Sequence, residues 1–231
     1  KVEVRELGEK LGIPHDAVWR HPFPGPGLGV RLLCSRGEAL PEIEELAPEV
    51  QRVADPYGLT ATPLPVRSVG VKADVRSYEH PVMLTGDASW ERLQEAAGTI
   101  LREVAGINRC VWNLSSSAPT EPRPVAATMT RARLDLLREA DQLVMQGLRR
   151  HGIYHQIWQC PTVLVPLALD GEGQELCVVR PVHSERAMTA MAADLPAPLL
   201  AELRSGILAL PGISGLALDL TSKPPGTIEW E

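Results

Sequence analysis

Two stretches of this chain repeat each other at a constant spacing, and that repeat restricts the possible folds more than any other feature. Ala105-Gly106-Ile107-Asn108, followed by Leu114-Ser115-Ser116-Ser117-Ala118-Pro119, aligns with Pro211-Gly212-Ile213-Ser214, followed by Leu220-Thr221-Ser222-Lys223-Pro224-Pro225. The offset is 106 residues throughout. Leu64-Pro65-Val66 is echoed by Val165-Pro166-Leu167. Self-similarity at a fixed period marks a duplicated supersecondary unit whose apolar face needs a neighbour to cover it.

Hydrophobic periodicity places the same elements in both halves. Leu40, Ile43, Leu46, Val50 and Val53 fall at helical spacing within 38–54. Strands are predicted around 62–71 and 76–84, a helix at 89–105, and a strand from Val104 to Leu114. In the second half a helix spans 131–151, strands lie near 161–169 and 176–183, a helix covers 197–210, and a strand runs through 213–220. The expected fold class is α+β, as two tandem α-β-β-α-β units with helices on one face of small sheets. Such a unit buries little apolar area alone, so the halves are expected to pack as an intrachain pseudo-dimer. The domain reading is 1–34 as the close of a preceding domain, a Pro/Gly hinge and a first strand at Val30 to Cys34; 35–119 as unit 1; 120–130 as a linker; and 131–231 as unit 2.

Composition narrows the function classes. With 231 residues, 44% apolar and 23% charged, the chain is an ordinary globular one. A single Phe leaves Leu, Val, Ile and Ala to fill the core. A net charge of −6 argues against a nucleic-acid partner, which needs a basic face. Cys34, Cys110, Cys160 and Cys177 form no C-x-x-C pair and suit buried thiols in a reducing cytoplasm. No apolar run is long enough to cross a membrane and no signal peptide opens the chain. Lys1 falls inside a helical pattern, so the sequence reads as a fragment.

Few motifs carry chemistry. Gly25-Pro26-Gly27-Leu28-Gly29 matches neither phosphate-loop signature and reads as a rigid hinge. His151 and His155 are four apart without a third ligand, so they read as a surface or interface pair, with no metal. No nucleophile elbow surrounds any serine, and no self-contained catalytic residue emerges. Lys72-Ala73-Asp74-Val75-Arg76-Ser77-Tyr78 joins two strands; Asp74 and Arg76 suit a surface ion pair or an anion-plus-hydroxyl reader. The tail Thr221-Ser222-Lys223-Pro224-Pro225-Gly226-Thr227-Ile228-Glu229-Trp230-Glu231 holds a lone Lys on a stiff path. That Lys is either solvated or held at a fixed point to grip an anion.

The tail from Ser222 to Glu231 resembles the C-terminus of glutamine-hydrolysing GMP synthetase. Arg20-His21-Pro22-Phe23-Pro24-Gly25-Pro26-Gly27-Leu28 is similar to that family's hinge before its dimerisation domain, and Leu64–Val71 with Asp74, Arg76, Ser77 and Tyr78 to a third stretch. The duplication resembles the eukaryotic-type enzyme with two units per chain. The resemblance implies amination of xanthosine monophosphate to GMP in purine biosynthesis, with ATP and Mg serving a separate ATP pyrophosphatase domain and ammonia coming from a glutamine amidotransferase domain. The S-G-G-x-D-S loop and the G-x-C-x-G nucleophile of those domains are absent here, so the chain alone is expected to be inactive and to bind no cofactor itself. By position, Lys223 and Arg76 are implied to meet the nucleotide phosphate, with Gln159 beside them and Asp74 and Glu229 accepting from sugar hydroxyls or orienting the cations. Because Ser117 stands at the position equivalent to Lys223, and Gly171-Glu172-Gly173-Gln174 at that of the Asp-x-Arg turn, one composite site per chain is implied, in a monomer. Two rival readings remain: a purely architectural pairing domain, and a KH-like nucleic-acid module, whose Gly212-Ile213-Ser214-Gly215 lacks any basic residue.

Overall fold

In a computed structural model of the chain, which describes residues 2–72, 75–115, 118–119, 121–169 and 173–231, alternation along the strands decides the architecture. The helices are α1 (Val2–Lys10), α2 (His15–Val18), α3 (Glu42–Ala54), α4 (Trp90–Glu103), α5 (Arg131–Arg150) and α6 (Ala197–Leu208). The main strands are β1 (Thr60–Pro63), β2 (Ser68–Lys72), β3 (Val75–Thr85), β4 (Ile107–Asn113), β5 (Thr162–Val165), β6 (Glu175–Val179) and β7 (Ile213–Asp219). They form a seven-stranded sheet in the order β1-β3-β4-β7-β6-β5, with β2 pairing the outer half of β3. The class is α+β.

The sheet reads the same from either edge. β1/β3 and β5/β6 are antiparallel, β3/β4 and β6/β7 are parallel, and α4 and α6 make the two parallel crossovers. The halves meet where β4 and β7 pair antiparallel, with Ala217 opposite Asn113, Leu218 opposite Trp112 and Asp219 opposite Val111. Ser89 and Thr130 cap α4 and α5 by accepting from the backbone N–H three residues on, which satisfies a free donor at each helix start.

Successive residues of each strand point to opposite faces. Leu164, Cys177, Val179, Leu216 and Leu218 pack with α5 and α6, while Val82, Leu84 and Cys110 pack with α3 and α4. The intervening Met83, Val111, Val163, Val165, Leu176, Val178 and Ala217 form a core on the other face, closed by Leu33, Leu64, Val66 and Trp230. Helices lie on one face, as expected; the second face is covered by loops and the C-terminal tail.

Two local expectations are corrected. The strand placed at Val30 to Cys34 begins as a tight helical turn over Gly27–Arg31, where the buried Arg31 turns inward to the partly buried carboxylate of Glu229. Only Leu32 and Leu33 join the sheet edge, against Leu164. Within the stretch read as a linker, Arg123–Pro124 pairs with Leu167–Ala168, and Ala126–Ala127 with Ser35–Arg36. Of the four thiols, Cys34 is exposed and the others are buried and free; burial pushes the thiols of Cys110, Cys160 and Cys177 far up. Near the N-terminus the His21 ring stacks on Tyr154, with centroids 4.1 Å apart, and Arg5 lies against the rings of Trp19 and Trp158.

Trp230 is fully buried, although it is the penultimate residue. Trp230→Ala is therefore expected to cost about 3–5 kcal/mol of folding stability, read from the midpoint of guanidinium unfolding.

Candidate functional site

The tail begins where β7 ends in Asp219, a carboxylate with no solvent exposure. Arg109 on β4 and Arg180 just past β6 are equally buried and bracket it. Asp219 Oδ2 accepts from Arg109 Nη1 at 3.0 Å and from the Trp230 indole at 2.9 Å. Its Oδ1 lies 2.7 Å from Arg180 Nη1 and accepts from the Thr221 N–H at 2.8 Å. Burial pushes the Asp219 carboxyl up, but Arg180 and then Arg109, with the Thr221 bonds, outweigh it and leave the group below the usual carboxylate range. Burial pulls the Arg109 guanidinium down to about 9, so it stays cationic at neutral pH.

The two guanidiniums hold the tail by its backbone. Arg180 donates to Thr221 O at 2.9 Å and to Ile228 O at 3.0 Å. Arg109 Nη2 lies within 3.0 Å of Val69 O, Thr227 O and Glu229 O. The residues between these anchors form a tight loop in which the Lys223-Pro224 and Pro224-Pro225 bonds are cis. Gly226 fits because a Cβ there would meet the Thr221 methyl at 2.9 Å and Arg109 Nη1 at 3.2 Å.

Four of the five implied site residues, Arg76, Gln159, Lys223 and Glu229, lie among the described residues. Half-buried Lys223 donates from Nζ to Ala187 O at 2.7 Å, and its backbone exchanges hydrogen bonds with Ala190. Ala187 is the one non-glycine at positive φ (63°) among the described residues, a conformation that costs an alanine about 1–2 kcal/mol. Gln159 is 7% exposed and donates to Glu229 Oε1 at 2.8 Å. Glu229 also accepts from Arg31 Nε and Nη2, both at 3.2 Å. Arg76 is exposed on β3, opposite Val71. The tail runs alongside β2: Val71 N–H donates to Pro225 O at 2.7 Å, and Gly70 bridges Gly226. Asp74 and Ala73 lie outside the described residues, as do Ser117, Gly171 and Glu172.

The structure thus joins Gln159 to Glu229, and sets Lys223 on a loop whose neighbour strand carries the Arg76 hairpin. A cavity of about 760 Å³ opens beside the 184–186 segment, lined by Arg5, Trp19, His21, His155, Trp158 and Arg186. His155 meets the edge of Tyr154, and His151 faces Glu202 at 3.1 Å. No metal-holding group of three ligands exists among the described residues, and no helix among them is long and apolar enough to cross a membrane.

Sequence reasoning missed Arg31, Arg109, Arg180 and Asp219. The last three carried a signal, because each stands in an apolar strand (Arg109-Cys110-Val111, Val178-Val179-Arg180, Ala217-Leu218-Asp219) where a charge needs a buried partner. Arg31 sits in a glycine-rich loop and carried none.

An α+β module built on one sheet, with a buried charge cluster gripping its tail, defines the structural class. Residues 146–230 match the GMP synthase C terminal domain family. Over its whole length the chain is 38% identical to the probable GMP synthase [glutamine-hydrolyzing] of Leptospira interrogans and 30% identical to that of Caenorhabditis elegans, covering 38% and 41% of those proteins. The GMP synthase of an Azoarcus species is 45% identical over 52% of this chain, a match that spans 27% of that protein. The chain belongs to the C-terminal region of the GMP synthase family, and spans about two fifths of the length of the relatives it matches end to end.

The depressed carboxyl of Asp219 fixes a pH dependence. Its contribution is complete above the ordinary aspartate value of about 3.9 and is lost as pH falls through the lowered folded value. Amide exchange at 227–230 is expected to stay slow down to the ordinary aspartate range and to accelerate only at more acidic pH. Release at pH 5 would contradict the assignment.

Proposed function

We propose that this chain is the nucleotide-holding C-terminal part of a glutamine-hydrolysing GMP synthase, and that it binds the phosphate of xanthosine monophosphate at Lys223. The supporting observation is the state of that ammonium: one acceptor, Ala187 O, fixes its direction, and an ammonium has three donors, so two remain for an anion. Arg76 supplies the second cation. Its strand is separated from the tail only by β2, about 5 Å per strand spacing. Gln159 and Glu229, already bonded to each other, form the neutral and acidic side of the site, and Asp74 completes the hairpin's contribution. The cavity beside 184–186 has the size of a small-molecule pocket, for which about 300–1,000 Å³ is typical, and adjoins the segment whose Ala187 O holds Lys223, though Lys223, Arg76, Gln159 and Glu229 do not line it.

In this reading ATP and Mg act on an ATP pyrophosphatase domain and ammonia comes from a glutamine amidotransferase domain, neither of which lies in this chain. The setting is the cytoplasm, without membrane or nucleic-acid partners. The two halves supply one composite site, and the chain is monomeric because β4 and β7 already pair the halves; light scattering is expected to give the mass of one chain.

The decisive experiment is Lys223→Ala in the full-length protein. Loss of a charge-assisted bond to phosphate, about 1.5–3 kcal/mol, raises the Kd for xanthosine monophosphate roughly ten- to hundredfold, read by calorimetry. An unchanged Kd favours the architectural alternative. The isolated chain, given xanthosine monophosphate, ATP, Mg and ammonia, is expected to form no GMP.

A further inference from the structure

The repeat that organises the sequence also supplies an internal comparison for the buried cluster. Asp219 and Asn113 occupy equivalent positions, 106 residues apart. Both make the same local turn: Asn113 Oδ1 accepts from the Ser115 N–H at 2.8 Å, and Asp219 Oδ1 from the Thr221 N–H at 2.8 Å. The turn therefore needs a carbonyl oxygen and no charge. Asp219 differs by its second oxygen, which collects Arg109 Nη1 and the Trp230 indole, and by the charge that offsets two buried guanidiniums.

Those guanidiniums reach both ends of the Lys223 loop and nothing beyond it that is exposed. Arg180 holds Thr221 on one side and Ile228 on the other, and Arg109 holds Thr227 and Glu229. None of the three charged side chains is exposed at all, so none can touch a ligand. Three buried charges are a poor way to gain stability alone, since apolar residues of similar volume often do as well. They do fix five points of an irregular backbone that no sheet ladder could fix.

We infer that Asp219, Arg109 and Arg180 are positioning residues whose purpose is to hold the 222–226 loop so that the Lys223 ammonium stands at one place. The function of the charge on Asp219, as against the neutral amide of Asn113, is to recruit this clamp to the half that carries the lysine. The inference rests on the reading of Lys223 as the phosphate ligand.

The test is a double-mutant cycle in the full-length protein, with xanthosine monophosphate as the probe. Asp219→Asn keeps the Thr221 turn and removes the clamp's centre. It is expected to raise Kd by no more than the roughly ten- to hundredfold of Lys223→Ala, because it acts through that group, and to speed amide exchange at 222–229 while exchange in β4–β7 is unchanged. In a Lys223→Ala background the same change is expected to add nothing, because both act through one group. Arg180→Lys, which keeps the charge but not the fork that bridges Thr221 and Ile228, guards against a folding failure and is expected to give the same pattern. Additive effects, or a 222–226 loop that stays protected in Asp219→Asn and Arg180→Lys, would overturn the inference. So would a weakening by Asp219→Asn that Lys223→Ala does not share. If Lys223→Ala alone leaves Kd unchanged, the phosphate reading fails. If it weakens binding and both clamp variants do not, only the positioning role fails.

Discussion

The contact between Asp219 and the two guanidiniums of Arg109 and Arg180 is the constraint on which the course of the tail depends, and with it the closure of the sheet's second face. An aspartate at the end of a central strand, with both faces of the sheet covered, has no water to ionise into. It keeps its charge because two cations lie within 3.0 Å, and they in turn need acceptors. Those acceptors are Val69 O and the tail carbonyls of Thr221, Thr227, Ile228 and Glu229. The tail is therefore part of the core's electrostatics, and Trp230 follows it inward to close the second face of the sheet.

That closure explains why the sheet can be apolar on both sides. Antiparallel sheets often leave one face wet, and two small units with helices on one side would each do so. Here the strands near the β4/β7 seam alternate between two dry environments, and the second core is made of Val, Leu, Met and Ala drawn from β3 to β7. The parts that cover it (Leu33 from the hinge, Leu64 and Val66 from the β1–β2 connection, Trp230 from the tail) come from loops. Each is bonded to the sheet through backbone groups, as in Leu33 to Leu164 and Val69 to Trp230. Joining the halves edge to edge also removes two open strand edges that would otherwise invite association.

Element positions were readable because the helices α3 to α6 and the strands β3, β4 and β7 carry strong periodicity between turn residues. The predicted 89–105 helix runs Trp90–Glu103 from a Ser89 cap, and the predicted 131–151 helix runs Arg131–Arg150. Failures occurred where a local pattern yielded to a distant partner. Val30 to Cys34 looks like a strand, but Arg31 is drawn 198 positions along the chain to Glu229. Gln159 and Glu229 were both named from resemblance, yet their mutual bond rests on the same long-range pairing and no local spacing encodes it. The Arg109–Asp219–Arg180 cluster was legible only as three misplaced charges, since the sequence does not say which of them meet.

The division between the halves has an electrostatic reason. A cluster of two guanidiniums and one carboxylate carries a net positive charge, and in a medium of low polarity that charge is poorly screened. Glu229 offsets part of that charge, since its carboxylate acts on Arg109 as well as pairing with Arg31 and Gln159. In the first half the same turn is built on Asn113, and the residue equivalent to Lys223 is Ser117. A neutral turn there avoids a second buried cluster and leaves no lysine in need of one. Asp219, Arg180 and Lys223 belong to the second half while Arg109 and Arg76 come from the first, so the buried cluster is itself shared across the β4/β7 seam.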